Sequence, residues 1–208
     1  MPRMPEAERL LKLTEMDRVY WNTPGTVLAG MDEVGRGPLA GPVVVCCAVM
    51  PPEPLIPYVN DSKKVSEKRR EILFDTLSST AIAWNLAWIG PDVIDRINIL
   101  EATKKGFEEA FSGIGIPVTD VLIDALQGLK IDANQHPVIH GDALSYSIAA
   151  ASILAKVSRD RYMVEMDKEF PEYGFARNKG YGTAEHIAAI RKYGPTPIHR
   201  RTFIGKFL

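Results

Sequence analysis

The amino-acid sequence predicts an α/β domain with one mixed sheet, and three observations support this class. Apolar runs rich in β-branched residues are typical of strands, and helical patterns separate the later ones. An alanine-rich segment at 145–170 predicts a long helix whose small side chains allow it to pack closely on a sheet. Strands followed by alternating helices and strands indicate an α/β fold. The predicted strands lie at 27–34, 42–50, 81–90, 120–125 and 137–143.

Helical patterns fill the intervals between these strands. Leu10, Leu11, Leu13 and Met16 suggest a short amphipathic helix near the N-terminus. Ser66 is a suitable N-cap for a helix whose apolar face is formed by Ile72, Leu73 and Leu77. One or two helices are expected within 91–114, and a last helix around 184–193. A polar loop, 171–183, precedes that last helix.

Size and composition restrict the class of protein. The chain has 208 residues, of which 46% are hydrophobic, so it can form one sizeable domain. No apolar run approaches the roughly 18 residues of a membrane span, and the charged N-terminus lacks the apolar core of a secretion signal. The two cysteines, Cys46 and Cys47, are adjacent, which disfavours both a disulfide between them and a metal site. We therefore expect a reducing, cytoplasmic location.

The net charge of −1 conceals an uneven distribution. Residues 156–208 contain 11 Lys or Arg against 6 Asp or Glu, whereas residues 1–155 contain 14 against 20. The last quarter is therefore basic and the remainder acidic. This pattern is compatible with a cationic face for a polyanion, and equally with an ordinary solvated surface.

Four carboxylates lie at or just after the ends of predicted buried strands. Asp32 and Glu33 end "LAGMDE", Asp124 ends "VLID", and Asp142 follows "VIHG". If these strands are neighbours, the acids meet at one end of the sheet, where their mutual repulsion requires protons or cations. Oxygen ligands without His or Cys favour Mg²⁺ or Mn²⁺. Such a site is typical of two-metal phosphoryl chemistry.

Each acid also has an ordinary interpretation. Asp142 could cap the following helix, and Asp124 could begin a turn. The four histidines are scattered along the sequence, and we expect them to be structural or surface groups. They are His136, His140, His186 and His199.

The glycine-rich turn after Glu33 resembles a dinucleotide-binding loop, because Gly35, Gly37 and Ala40 have the matching spacing. That interpretation requires a helix to begin at the glycines. Here a strand follows instead, and two acids directly precede the turn. We therefore disfavour nucleotide-cofactor binding.

Five sequence blocks, in order and at similar spacing, resemble the signature motifs of type 2 ribonuclease H (ribonuclease HII). Together they extend from residue 28 to about residue 203. Long motifs in a fixed order are far more specific than a glycine triplet. The blocks are "MDEVGRGPLAGPVVVCCAV", "NDSKKVSEKRRE", "VLIDA", "HGDALSYSIAAASILAKVSRDRYM" and "NKGYGTAEHIAAIRKYGPTPIHRRTF".

The resemblance implies an RNase H-like fold, with a mixed five-stranded sheet flanked by helices and a C-terminal helical extension. It divides the chain into a helical lead-in (1–26), a catalytic domain (27–170) and a helical substrate-binding region (171–208). It further implies an endoribonuclease that cleaves RNA in RNA/DNA hybrids. The same enzyme would incise on the 5′ side of ribonucleotides embedded in duplex DNA, leaving 3′-hydroxyl and 5′-phosphate ends, in ribonucleotide and primer removal.

By position, the resemblance assigns roles to individual residues. Asp32, Glu33, Asp124 and Asp142 match the family's catalytic carboxylates, which bind two Mg²⁺ or Mn²⁺ ions when substrate is bound. The substrate-binding residues would be a turn that detects the ribose 2′-hydroxyl, a loop near the nucleic-acid backbone, and a tyrosine that packs on the neighbouring deoxyribose. These are Gly35, Arg36 and Gly37; Ser62, Lys63 and Lys64; and Tyr181.

Elementary chemistry is consistent with these roles. Glycine lets a backbone approach a sugar closely enough to sense one hydroxyl, and the Arg36 guanidinium suits a phosphate. Sequence-independent contacts to the backbone are expected from Lys156, Arg159, Arg177 and Lys179. The ordinary alternatives are a tyrosine packed on the core for Tyr181 and solvated charge for Lys63 and Lys64.

Some partners and functions stay open at this point. The terminal "TFIGKFL" has two aromatic residues but lacks the glutamine-led pattern of a sliding-clamp motif, so a clamp partner has no clear support. We expect a monomer and no membrane partner. The alternative functions are another RNase H-like nuclease, such as a junction resolvase, and a non-catalytic hybrid-binding protein.

Overall fold

The five strands form one mixed sheet in the order β3-β2-β1-β4-β5. A computed structural model describes residues 4–208. The central strand β1 pairs antiparallel with β2 and parallel with β4; β2 pairs antiparallel with β3, and β4 pairs parallel with β5. The bounds are β1 (Leu28–Val34), β2 (Val43–Val49), β3 (Ala83–Ile89), β4 (Asp120–Asp124) and β5 (Asn134–Val138).

Helices precede the sheet, cover it and continue beyond it. A single 3-10 turn, Pro171–Tyr173, separates α6 from α7. The helices are α1 (Glu6–Leu13), α2 (Glu15–Trp21), α3 (Glu67–Thr80), α4 (Pro91–Ser112), α5 (Gly141–Leu144), α6 (Tyr146–Glu169), α7 (Phe175–Asn178), α8 (Ala184–Tyr193) and α9 (Arg201–Ile204).

Strand β2 shows how the sheet separates two apolar layers. All seven of its residues are buried, and alternate side chains point to opposite faces. Cys46 packs with α3 and α6 on one face, whereas Cys47 packs with α4 on the other. Both thiols are free and buried, as expected for neighbouring residues of one strand. The alanines of α6 let this helix lie directly on the sheet.

A buried carboxylate attaches the N-terminal helices to the domain. Asp17 of α2 accepts hydrogen bonds from the Ser145 hydroxyl and from the backbone N–H groups of Tyr146 and Ser147. These donors lie in the first turn of α6, where backbone N–H groups lack helical partners. Asp17 therefore completes the N-terminus of the helix that carries much of the core.

The structure corrects three local predictions. Ile72 is exposed, because only Leu73 and Leu77 of α3 face the core. The last strand is 134–138, not 137–143, so Asp142 lies in α5 and not directly after a strand. The segment 171–183 is not simply a polar loop, since it contains a 3-10 turn and α7.

The region 91–114 was expected to hold one or two helices. It forms α4 with a kink at Asn98, whose φ of 70° and ψ of 167° are not helical. The Asn98 side chain accepts hydrogen bonds from the N–H groups of Leu100 and Glu101, so it caps the second half.

Nothing in the described part of the chain, residues 4–208, is both helical and apolar over a length that could cross a bilayer. The division into parts at 1–26, 27–170 and 171–208 stays a prediction.

Candidate active site

The sheet brings the predicted carboxylates to one end. Strands β1 and β4 run parallel with Met31 opposite Ile123, so Asp32 and Asp124 follow at the same edge. Asp142 reaches this edge from α5, whose N-terminal Gly141 donates its N–H to Asp124 Oδ1 at 2.8 Å. Glu33 directly follows Asp32. The prediction that these acids converge is therefore supported by the strand register.

The electrostatics of the four carboxylates reflect their burial and proximity. Burial raises the pKa of Asp32 well above its ordinary value, and the charges of Glu33 and Asp124 raise it further. Burial also raises the pKa of Glu33, against the opposing effect of Arg36, which lies 3.5 Å from Glu33 Oε1. For Asp142, burial and then the charges of Asp61 and Asp124 raise the pKa. The cluster therefore carries more negative charge than its surroundings stabilise.

Lys63 and Asp61 complete the cluster, and Asp61 was not predicted. The Asp61 carboxyl is hydrogen-bonded to Asp142, which favours the protonated form of Asp142. Partial burial lowers the pKa of Lys63, but Asp142, Asp32, Asp61 and Asp124 outweigh this effect and raise it. Lys63 thus supplies a positive charge to the cluster, in addition to Arg36 beside Glu33.

The donor set fits hard divalent ions, since it consists of carboxylate oxygens. Among residues 4–208, however, no three Asp, Glu, His or Cys side chains are gathered tightly enough to hold an ion by themselves. Two of the acids have other partners: Asp142 is bonded to Asp61, and Glu33 lies beside Arg36. Like charges approach closely only when a cation lies between them.

The glycine-rich turn after β1 is held by the buried guanidinium of Arg200. Its Nη2 donates to the carbonyl oxygen of Gly35 at 2.6 Å, and its Nη1 donates to that of Arg36 at 2.9 Å. The same side chain donates twice to Gly41, at 3.0 and 2.8 Å. Burial and the nearby charge of Arg159 lower the pKa of Arg200, which is still protonated at neutral pH.

Arg159 holds the far side of the same turn, so the prediction that it contacts the substrate backbone is wrong. It is fully buried and donates to the carbonyl oxygens of Ala40, Pro42 and Lys179 at 2.9–3.0 Å. Arg159 and Arg200 thus account for two cations of the basic C-terminal quarter without contributing to any cationic surface.

A cavity of about 320 Å³ joins Asp32 and Glu33 to the turn, whereas Asp124 and Asp142 lie outside its lining. Tyr181 lies across this cavity from the turn, and the Lys156 side chain lies beside it. Most of the predicted site residues line it together, which the sequence spacing alone did not require. The lining residues are Asp32, Glu33, Val34, Gly35, Arg36, Gly37, Ser62, Lys63, Ser152, Lys156 and Tyr181.

Two glycines of the turn have different reasons to lack a side chain. Gly35 has a φ of +92°, and a Cβ there would lie 2.3 Å from Arg159 Nε, so the fold itself requires glycine. Gly37 has neither constraint. The nearest atom to a Cβ at Gly37 would be Tyr181 Cε1 at 3.9 Å, which is ordinary van der Waals contact. Of these two positions, therefore, only Gly37 could carry a Cβ without a clash or backbone strain.

The remaining predicted substrate contacts differ in how accessible they are. Ser62 is buried, and its hydroxyl accepts a hydrogen bond from Ser152 at 2.9 Å. Lys64 is exposed and pairs with Asp61 at 3.4 Å, outside the cavity lining. Lys156 pairs with Asp160 at 2.6 Å.

Arg177 and Lys179 were expected to contact the nucleic-acid backbone, and both have partners in the structure. Arg177 is exposed and pairs with Glu185 at 3.0 Å, whereas Lys179 is mostly buried and pairs with Glu67 at 3.5 Å. Arg177 is thus the more accessible of the two.

Sequence reasoning missed Asp61, Arg200 and Ser152. Asp61 lies in the block "NDSKK" and Arg200 in "HRRTF", so each stands beside residues that were singled out. Neither residue lies near a strand end, which was the signal that identified the four carboxylates.

Comparisons with known proteins agree with this geometry. The model of the Ribonuclease HII family matches residues 29–206. A protein of Desulfitobacterium hafniense called Ribonuclease HII is 49% identical over 201 residues, covering 97% of this chain and 77% of its own length. A Ribonuclease HII of Ruminiclostridium cellulolyticum is 47% identical, with coverage of 98% and 80%.

Solved structures show the same fold. Ribonuclease H2 from Pyrococcus horikoshii matches with a TM-score of 0.72 and 28% identity, covering 86% of this chain and 96% of that one. The ribonuclease HII of Archaeoglobus fulgidus, solved in complex with PCNA, gives 0.71 at 24% identity, with coverage of 84% and 93%. A Bst-RNase HIII in complex with Mn²⁺ gives 0.64 at 17% identity, with coverage of 93% and 68%. The predicted RNase H-like fold is confirmed.

Proposed function

The chain belongs to the ribonuclease HII family of endoribonucleases, and we propose that it cleaves RNA in RNA/DNA hybrids and incises duplex DNA on the 5′ side of an embedded ribonucleotide. The products carry 3′-hydroxyl and 5′-phosphate ends. Such an activity serves the removal of misincorporated ribonucleotides and of RNA primers. Membership of the family favours this function over a junction resolvase or a non-catalytic hybrid-binding protein.

The observation that carries the proposal is the cavity of about 320 Å³ that is lined by Asp32, Glu33, the glycine-rich turn and Tyr181. Tyr181 is 43% exposed, and Gly37 adds no side chain to the wall of this cavity. A sugar in the cavity would contact backbone groups of the turn and the Tyr181 ring. Backbone donors and acceptors can distinguish ribose from deoxyribose through the 2′-hydroxyl.

We propose that Asp32, Glu33, Asp124 and Asp142 hold the ions required by this divalent-metal-dependent family. Bound Mg²⁺ or Mn²⁺ would activate a water and stabilise charge on the cleaved phosphate. The raised pKa values of Asp32, Glu33 and Asp142 support this assignment, because neighbouring cations favour the charged form of each acid.

The remaining roles concern binding. We propose that Gly35, Arg36 and Gly37 read the ribose, with the exposed Arg36 side chain on a phosphate, as its planar fork allows. Lys63, already at the acidic cluster, would contact the backbone near the cleaved bond, and Lys64 would contact it farther away. Ser62 would act through its main chain, because its hydroxyl is bonded to Ser152.

The deciding experiment is incision of a duplex that contains one ribonucleotide, with and without Mg²⁺. We expect a single cut on the 5′ side of the ribonucleotide in Mg²⁺, and none in chelator. The same duplex with deoxyribose at that position is the control and should stay intact. Failure of the unmodified protein to cut the ribonucleotide duplex in Mg²⁺ or Mn²⁺ would contradict the proposal.

Three further predictions remain proposals. We propose a monomer, as expected from the sequence. A sliding-clamp partner is suggested by the complex of the Archaeoglobus fulgidus ribonuclease HII with PCNA, although "TFIGKFL" offers no glutamine-led motif. A cytoplasmic location stays a prediction from the sequence.

A further inference from the structure

Two buried histidines lie directly behind Tyr181. His186 belongs to α8 and His199 to the segment before α9, and their exposed fractions are 0% and 2%. Their Nε2 atoms are 3.0 Å apart. The two residues are 13 positions apart in the sequence, and the fold brings them into contact as buried groups, in agreement with the expectation that these histidines are structural.

The backbone groups at the two ends of this pair determine which ring nitrogens carry protons. The carbonyl oxygen of Tyr181 can only accept, so His186 donates to it from Nδ1 at 2.9 Å. In the neutral ring, Nε2 then accepts from Nε2–H of His199. His199 Nδ1 in turn accepts from the N–H of Thr196 at 2.9 Å. Every hydrogen bond in this chain is satisfied when both rings are neutral.

This row of hydrogen bonds connects the two sides of the proposed sugar site. His199 forms an isolated antiparallel bridge with Ala40, so it is paired to the glycine-rich turn. The next residue in the turn, Gly41, donates its N–H to the carbonyl of Ile198 at 2.9 Å. From His199, the hydrogen bonds run through His186 to the backbone of Tyr181. The position of Tyr181 is thereby tied to the turn that faces its ring.

We propose that His186 and His199 are positioning residues, which hold Tyr181 opposite Gly37 and so determine the preference for a single ribonucleotide over a continuous hybrid. This inference rests on the proposed function, because it assumes that Tyr181 contacts the sugar beside the ribonucleotide. Neither histidine lines the cavity, and both act only through the Tyr181 backbone.

The surroundings keep both rings neutral at physiological pH. Tyr173 from the 3-10 turn and Phe175 from α7 pack against the pair, with Tyr173 and His199 ring centroids 5.0 Å apart. Burial lowers the pKa of His186, and burial, His186 and the charge of Arg201 lower that of His199 to about 4. A second proton on either ring would place two N–H groups face to face.

The test compares incision at one ribonucleotide with cleavage of a continuous hybrid, as a ratio of kcat/KM values. His186→Leu removes the donor to Tyr181, and we expect the ratio to fall about tenfold, as for loss of one well-placed hydrogen bond. His186→Asn keeps an N–H near the Nδ1 position and should restore most of the ratio. His136→Leu removes a histidine of β5 that is bonded to Asp120 of β4; it is the matched control and should keep the ratio.

A double-mutant cycle separates positioning from general damage. In a Tyr181→Ala background, His186→Leu should cause no further fall in the ratio, because the ring that it positions is absent. If the ratio falls equally in both backgrounds, or if His186→Leu slows both substrates to the same extent, the inference is overturned. Failure of the unmodified protein to cut at a ribonucleotide would instead contradict the proposed function.

A measurement on the unmodified protein does not depend on how the variants fold. Nitrogen NMR of ¹⁵N-histidine-labelled protein at neutral pH reports which ring nitrogen is protonated. We expect His186 in the Nδ1–H form and His199 in the Nε2–H form, with both rings neutral. The opposite tautomer or a charged ring at either position would exclude the hydrogen-bond chain and with it the inference.

Discussion

The acidic end of the sheet and the glycine-rich turn are adjacent in sequence, yet they differ in how their buried charges are stabilised. The protein itself stabilises the buried cations at the turn, but it does not fully stabilise the buried acids. At the turn, the cations Arg159 and Arg200 donate to backbone carbonyls between Gly35 and Pro42. Their hydrogen bonds are made within the fold. At the sheet end, burial and neighbouring acids hold the pKa of Asp32 well above its ordinary value. The charged form of Asp32 is therefore not fully stabilised by the protein, and a cation from outside the chain is needed to stabilise it.

This difference indicates that the two buried arginines serve stability, whereas the buried acids serve catalysis. A buried group whose hydrogen bonds are complete contributes to the folded state, and its removal leaves unpaired partners. A buried acid with a raised pKa costs stability at neutral pH and is retained for another reason. Substitutions at the acids should therefore affect activity, whereas substitutions at the two arginines should affect stability.

The largest effect is expected for Asp32→Asn or Asp124→Asn. Each variant loses a proposed ion-binding carboxylate, and cleavage should fall on the order of 10³-fold or more. Steady-state incision in Mg²⁺ measures this loss, and binding of a hybrid in the absence of ions should persist. Asp120→Asn, which changes an acid at the opposite end of β4, serves as the control. A cleavage rate within tenfold of the unmodified protein would remove Asp32 or Asp124 from the site.

Arg200→Met should have the largest effect on stability. It leaves the carbonyl groups of Gly35, Arg36 and Gly41 without their donor, which should lower the free energy of unfolding by about 3 kcal/mol or more. Arg201→Met is a matched control at an exposed neighbour, where a change within about 0.5 kcal/mol is expected. Denaturant unfolding measures both, and equal losses for the two variants would contradict the assigned role of Arg200.

A smaller and selective effect is expected for Tyr181→Ala. Loss of the ring should cost on the order of 1–2 kcal/mol of transition-state binding at a single ribonucleotide, as for other aromatic contacts with nucleotides. Cleavage of long hybrids should be less affected. Tyr193→Ala, at another exposed tyrosine of the C-terminal region, should leave the ratio of the two activities unchanged. Equal losses on both substrates would argue against a role in reading the junction.

A last effect concerns the dependence of stability on pH. The folded-state pKa of His199 is about 4, below its ordinary value of 6.5, so the unfolded chain binds a proton in this interval and the folded chain does not. His199 therefore contributes stability that is complete above pH 6.5 and is lost as the pH falls to about 4. The free energy of unfolding of the unmodified protein should fall over this window by about 3 kcal/mol more than that of His199→Gln. Parallel pH profiles would contradict this.

The sequence predicted the parts of the site that depend on local pattern. Asp32, Glu33 and Asp124 follow apolar strands, so their position at one sheet edge follows from parallel pairing. A strand follows the glycines, as predicted, in place of the helix that a dinucleotide loop requires. Family motifs added Tyr181, whose local sequence alone is equally compatible with a core residue.

The parts that were missed depend on contacts between distant segments. Arg200 reaches carbonyls 159–165 residues earlier in the chain, and nothing local distinguishes it from the exposed Arg201. Arg159 was placed on the surface for the same reason, since a basic residue on a helix is usually solvated. His186 and His199 meet only because α8 and the segment before α9 fold back on one another.

The central claim is that divalent ions neutralise the acidic cluster, whereas the protein's own arginines supply the hydrogen bonds that hold the turn. Thermal unfolding of the unmodified protein and of Asp32→Asn, with and without Mn²⁺ at neutral pH, tests it most directly. We predict that Asp32→Asn is at least as stable as the unmodified protein without ions, and that Mn²⁺ stabilises the unmodified protein alone. A less stable Asp32→Asn without ions, or an equal Mn²⁺ shift in both proteins, would contradict the account.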